Sequence, residues 1–358
     1  MTEHPRPTLE PVAAMATRLG VRPEAVALCR GADFLDLHLD TFIPPRLWGY
    51  DIFAHHRGGP LGRHFFGHFD LPRMEAAGLT GGMWSITTNP FRTARGRWRT
   101  FQKNLARLQG LVAASSGRLA FARDVREYAA ARAAGAHAVL LSVQGGNALQ
   151  AGDLAALPPG LLTRVTLVHL TNAVYGATSS PVSRLRRRRG LSPAGRALVE
   201  ALNAERVFVD LAHIHPDAFA DALDAHATDR PPIVTHTGVD GVKPHWRNLS
   251  DGQVRAIADR GGVVGVMFHV PFLRPRGAPE DVSLVVRHLE HVVAVAGEDT
   301  PALGSDYDGA IRPPPDLASG DSYPRLVQAL LDRGHGEDRV RKILGLNFLR
   351  SWGDLRPG

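Results

Sequence analysis

The sequence predicts a closed (β/α)8 barrel of the TIM type, with a metal site at its C-terminal mouth and an N-terminal helical cap. Three observations predict it. After Gly31, short apolar runs alternate with amphipathic, Ala- and Leu-rich segments, the order of repeated βα units. Eight such runs can be counted, and 358 residues exceed the roughly 250 that a barrel of this kind needs. Most runs end in His, Asp or Gln rather than in turn residues alone. An open doubly wound sheet is the alternative.

The elements follow in chain order. Residues 9–30 read as helical, so an extension over 1–30 precedes a barrel domain over 31–358. Strands are expected at 34–39, 81–87, 138–143, 165–170, 207–211, 233–235, 263–268 and 302–304. The first is followed by an insertion at about 42–72, rich in Gly, His, Phe and Pro, and long loops at a barrel's C-terminal rim usually shape its site. Helices are punctuated by Ser192-Pro193, by Pro216 and by Ser250-Asp251; the last stops at Gly261-Gly262.

Composition excludes several classes. Hydrophobic residues make up 44% and charged residues 22%, so a core is available and disorder is not the default. Cys29 is the only cysteine, which rules out an intrachain disulfide and a thiolate metal cluster. The N-terminus lacks a signal-peptide pattern, and no apolar run approaches about 18 residues. The expected address is the cytoplasm, with no membrane partner. Net charge is +7, and five arginines lie between Arg184 and Arg189. That tract is a solvated loop or an anion-binding patch. Without aromatic interleaving or a binding motif, nucleic acid is not the expected partner.

The strand ends carry the chemistry. DLHLD places His38 and Asp40 two apart, so both side chains share a face. VDLAHIH supplies His213, IVTHTG supplies His236, and LGSDYDG supplies Asp306 and Asp308. A lone histidine near a strand end is usually a hydrogen-bonded rim residue. In a barrel, however, these ends converge on one mouth, and three imidazoles with two or more carboxylates suit zinc or a similar divalent ion.

These motifs, together with LTGGMWSI, the QGGN strand end, TLVHLTN, RNLSD and the intervening helices, run from Asp36 to Leu349 in one order. The chain thereby resembles the membrane (renal) dipeptidase family of the amidohydrolase superfamily, whose members are zinc-dependent (β/α)8 barrels. The resemblance implies hydrolysis of a dipeptide or similar small amide. It implies that His38 and Asp40 hold one metal, that His213 and His236 hold a second, and that Asp306 accepts a proton from the attacking water. It also implies that His169 stabilises the developing oxyanion and that Arg247 binds the substrate carboxylate. The other reading of Arg247 is a salt bridge at the opening of a helix. Asn172, Tyr175 and Asp308 fall on substrate-lining segments. Family members are often dimers, so a homodimer is a possible state.

One residue departs from the pattern. Two-metal relatives carry a bridging Glu where this chain has Gln144, before Gly145 and Gly146. An amide offers one neutral oxygen and an NH2 that cannot ligate, whereas a carboxylate offers two anionic oxygens. Three readings stay open: a hydrolase with one firm and one loosely held ion, a mononuclear enzyme acting on a related amide, or a binding or biosynthetic accessory protein. His55, His56, His64 and His68 in the insertion suggest either a further metal site or a lid or oligomer contact.

Overall fold

A computed structural model describes residues 8–56, 65–152, 154–185 and 187–357. Among the described residues nine strands form: β1 Leu35–Leu39, β2 Gly81–Thr87, β3 Leu119–Phe121, β4 His137–Gln144, β5 Leu162–Thr166, β6 Phe208–Asp210, β7 Val234–Thr237, β8 Val264–Val266 and β9 Pro301–Leu303. All pair in parallel, in the orders β1-β2-β4-β5-β6 and β7-β8-β9. Two bridges join these arcs into a ring, Asp210 with Ile233 and Leu39 with Tyr307. The eight expected strands are therefore the barrel, with ends shifted by up to a few residues. The unexpected β3 lies beside the first half of β4, where β5 has not yet begun to pair.

The helix signals fold as their chemistry requires. Ser192 and Ser250 accept from Gly195 N and Gln253 N as N-caps of helices Pro193–Ala204 and Asp251–Ala258, and Gln253 completes a capping box. The N-terminal helices Val12–Leu19 and Pro23–Gly31 share a small core of Met15, Ala16, Leu19 and Val26. They are tied to the last third of the chain through Arg18–Asp321 at 2.9 Å and Arg325 Nε to Leu19 O at 3.0 Å. No helix among the described residues is long and apolar enough to cross a membrane.

Every residue of β4 is buried, including His137 at its start. His137 Nδ1 donates to Leu79 O at 2.9 Å, and Nε2 accepts from Trp84 Nε1 at 3.1 Å. The neutral ring is thus fully used, and burial lowers its pKa to about 4. Because the folded value lies below the unfolded one, near 6.5, this stabilisation is complete above pH 6.5 and is lost as pH falls toward 4. The slope is about 1.4 kcal/mol per pH unit for one such group. Urea unfolding of wild type and His137→Gln at pH 6.5 and 4.5 checks this. The stability loss on acidification should be smaller in the variant by about 2 kcal/mol, on the order set by that slope.

Candidate metal centre

The chemical side chains gather where the strands end. His38 lies in β1 and His236 in β7, while Asp40, His213 and Asp306 lie just beyond β1, β6 and β9. His38 Nε2 is 3.6 Å from Asp40 Oδ2 and 3.5 Å from Asp306 Oδ1. Its ring stacks on His236 with centroids 3.8 Å apart, and His236 Nε2 is 2.8 Å from His213 Nε2. Donor atoms of His38, His236 and Asp306 all lie within 4.8 Å of one another. This triple takes one histidine from each expected pair and adds the expected base.

The backbone bends sharply to achieve this. His213, Asp306 and Asp308 have φ of 65°, 63° and 64°, the left-handed region that non-glycine residues seldom adopt. A Cβ on Gly309 would come within 2.3 Å of Asp306 Oδ1 and 2.9 Å of Asp40 Oδ2. Glycine there lets the two carboxylates stand together. Burial pushes the Asp40 carboxyl up to about 6. Burial, and then the negative charge of Asp40, hold Asp306 well above the usual carboxylate range. Burial lowers His38, His213 and His236 and leaves their imidazoles neutral, the form a metal requires.

The donor set fits a divalent cation. His38 Nε2, Asp40 Oδ1 and Gln144 Oε1 are buried with no hydrogen-bond partner, and such groups are costly unless something compensates them. Gln144 and Asn147 of this strand end both line the adjoining pocket, and Gln144 keeps its amide oxygen unpartnered. Gly145 adopts φ 92°, a Cβ on Gly146 would meet Leu198, Leu167 O and Tyr175 at 3.0–3.1 Å, and Asn147 Oδ1 accepts from Val174 N at 3.3 Å. The glycines and asparagine of QGGN thus serve the turn.

Beneath the site lies an ion pair that the sequence reading missed. Arg164 of β5 and Asp210 of β6 are both fully buried, and Arg164 NH1 donates to Asp210 Oδ2 at 2.9 Å. Arg164 NH2 donates to Ser85 Oγ at 2.7 Å and approaches His38 Nδ1 at 2.5 Å. Guanidinium can only donate, so His38 Nδ1 is the acceptor and the ring proton sits on Nε2, toward Asp40 and Asp306. To hold a cation, Nε2 would have to be free of that proton, and a proton on Nδ1 would face the Arg164 NH2 donor, with Ser85 Oγ at 3.4 Å the nearby acceptor. Arg164 would therefore oppose ligation by His38. The available signal was an arginine inside the apolar stretch LTRVTL.

The remaining expected residues divide. His169 meets the His213 ring edge-on at 4.8 Å and, with Gln144, lines a pocket of about 530 Å³. Arg247 is buried, donates to His236 O at 2.6 Å, and has an unpartnered Nε. Among the described residues it makes no salt bridge. Asn172 uses its amide on Val182 O and Thr178 N, and Tyr175 packs over Gly146, so that loop presents Leu170, Thr171 and Ala173 to the pocket instead. Asp308 Oδ1 accepts from His68 N at 2.9 Å, while Asp308 N donates to His68 Nδ1 at 3.0 Å. His68 thereby anchors the Asp306–Asp308 segment. His56 Nε2 contacts Asp51 O and its ring stacks on Tyr50, His55 is exposed, and His64 lies outside the described residues. Among the described residues no second cluster of three metal donors forms. Arg184 and Arg187 to Arg189 are exposed, and Arg186 lies outside the described residues.

The membrane dipeptidase family (peptidase family M19) matches residues 23–356. The chain is 30% identical over 313 residues to the dipeptidase tcpJ of Claviceps purpurea (strain 20.1), covering 84% of this chain and 72% of that one. It is 39% identical over 164 residues to an uncharacterized protein in the pqqA 5' region of Klebsiella pneumoniae, 45% of this chain and 59% of that one. A solved metallopeptidase from Rhodobacter sphaeroides, liganded with a phosphinate mimic of the dipeptide L-Ala-D-Ala, superposes with a TM-score of 0.78. It is 26% identical, with 90% of this chain and 99% of that chain covered.

Breaking the buried pair leaves a charge without a counter-ion. Asp210→Asn should destabilise by about 3–5 kcal/mol, read from urea unfolding midpoints. Arg164→Met combined with Asp210→Asn should cost less than the two single losses added together. Additive losses would show that the two side chains are not energetically coupled.

Proposed function

We infer that this chain, which belongs to the membrane dipeptidase family, is a metal-dependent hydrolase that cleaves the amide bond of a dipeptide or similar small amide. One observation carries the reading. Neutral His38 and His236 and the carboxyl of Asp306 bring donor atoms within 4.8 Å of one another, next to a pocket of dipeptide size lined by His169 and Gln144. The phosphinate ligand of the Rhodobacter sphaeroides relative, a mimic of a dipeptide, supports the same substrate class.

His38, His236 and Asp306 would hold the ion, with Asp40 and His213 against them. Zinc suits such a set of imidazoles and carboxylate. A bound divalent ion acidifies water and polarises a carbonyl. Asp306 has a raised proton affinity from burial and from Asp40. It takes the proton of the attacking water and returns it to the leaving amine. Burial lowers His169 to about 4 and keeps its ring neutral. Its N–H donates to the carbonyl oxygen as negative charge develops there. The unpartnered Nε of Arg247 meets the terminal carboxylate of the substrate. A cytoplasmic address is consistent with the single, buried cysteine.

Gln144 and Arg164 favour one ion over two. Two dications about 3.5–4 Å apart need an anion between them, and Gln144 supplies none. Metal analysis of the purified protein should give one ion per chain, and chelation should abolish hydrolysis of a dipeptide panel that zinc restores. A chain loaded with zinc that cleaves no dipeptide overturns the reading. Gln144→Glu should raise the stoichiometry toward two, measured by the same metal analysis. Asp306→Asn removes both a metal donor and the base, so it should lower kcat by at least about 10²-fold, the lower end of general acid–base catalysis, and metal analysis of the variant separates the two losses.

A further inference from the structure

A second cavity of about 570 Å³ adjoins the pocket beside the metal centre. Arg46, Leu47, Thr87, Thr88 and Asn89 border both. Its walls carry five cations, Arg46, Arg92, Arg99, Lys103 and Arg107, and no carboxylate. Among the described residues none of the five makes an ion pair, although the chain has ion pairs elsewhere in abundance.

The placement is specific. Arg99, Lys103 and Arg107 lie at i, i+4 and i+8 on helix Ala94–Ala114, so they share one face. Like charges at that spacing destabilise a helix by a few tenths of a kcal/mol per pair, roughly, and this helix contains no Asp or Glu to offset them. Arg97 on the same helix behaves differently. Its guanidinium is consumed by Asn147 O, Pro90 O, Arg92 O and Gln150 Oε1, a structural tie to the turn that follows Gln144. The cavity-facing cations have no such tie, except Arg46, which donates to Thr87 O at 2.8 Å. Arg46 stands between the two spaces, close enough to feel both the Asp40 and the Arg107 charges.

Resting on the dipeptidase reading, we propose that this cavity is a substrate subsite for a multiply anionic group attached to the scissile amide, either clustered carboxylates or a phosphate. The volume falls in the range of small-molecule pockets, roughly 300–1,000 Å³, and Arg92, Arg99, Lys103 and Arg107 are exposed around it. Five cations exceed what a single side-chain carboxylate could neutralise. A cleft of one sign also concentrates oppositely charged substrates and quickens their capture in a salt-dependent way.

The test uses the zinc-loaded full chain and the double variant Arg99→Gln/Arg107→Gln. Steady-state kinetics compare Ala-Ala, Glu-Glu and a phosphoserine-containing dipeptide, while calorimetry measures binding of inorganic pyrophosphate. In the wild type, kcat/KM should favour one of the anionic dipeptides over Ala-Ala, and the favoured one distinguishes carboxylate from phosphate. In the variant that preference should fall at least tenfold, and pyrophosphate affinity should fall with it. An unchanged preference with unchanged pyrophosphate binding overturns the subsite. If no dipeptide is cleaved, yet wild type binds pyrophosphate and the variant does not, the anion site stands while the dipeptidase reading fails.

Discussion

The geometry of the candidate metal centre depends on the buried pair between Arg164 and Asp210. The guanidinium reaches from β5 to Asp210 on β6, Ser85 on β2 and His38 on β1. Asp210 accepts in turn from Thr166 Oγ1 at 2.6 Å, from Thr235 Oγ1 at 2.8 Å and N at 3.0 Å, and from Ala212 N at 3.0 Å. Thr235 Oγ1 also lies 2.9 Å from His236 Nδ1. One charge pair therefore crosses the barrel floor from the β1 histidine to the β7 histidine and fixes both ring orientations. Burying two charges costs several kcal/mol per ion before pairing repays it, and an apolar floor of equal volume would often be as stable. What an apolar floor cannot supply is a hydrogen-bond frame that aims two imidazoles at one point.

Much of this was legible before the fold. Apolar runs bounded by glycine and proline mark a parallel barrel because both strand faces are buried, and all eight barrel strands appear where such runs occur. The metal-donor types were visible because His and Asp at strand ends have little structural reason to recur four times. Arg164 was not. An arginine two residues from the start of an apolar stretch reads as a strand edge reaching for solvent, and inward and outward positions of a strand differ by a single residue of register. Asp210 in VFVDLAH was hidden for the same reason. The three-residue β3 was missed because so short a run carries no periodicity.

The substitution at Gln144 gains meaning from this floor. If, as the resemblance implies, Gln144 stands in place of a bridging carboxylate, the mouth has one negative charge fewer, while Arg164 places a positive charge under it. Both changes act in one direction, against a second cation. The remaining carboxylates, Asp40 and Asp306, share the space over Gly309 and bind protons more readily than isolated acids do. A single dication would relieve their repulsion and, with the His38 proton gone from Nε2, would meet the unpartnered atoms of His38 and Asp40. A second would find an amide oxygen where it needs an anion.

Positive charge is arranged differently in space than in sequence. The densest arginine tract, Arg184 to Arg189, puts its described side chains into solvent, where water and counter-ions screen them within about 8–10 Å. The cations around the second cavity are scattered from Arg46 to Arg107 and are brought together by helical periodicity and by the insertion after β1; Arg92, Arg99, Lys103 and Arg107 are exposed and Arg46 is half-buried. A run of like charge is separated only by peptide geometry, so its members splay outward. Charges four residues apart on a helix project from one face and can share a ligand. Arg46 couples the two regions: it borders the cavity on one side and feels the Asp40 charge on the other, so an anion placed among these cations lies within electrostatic reach of the metal centre.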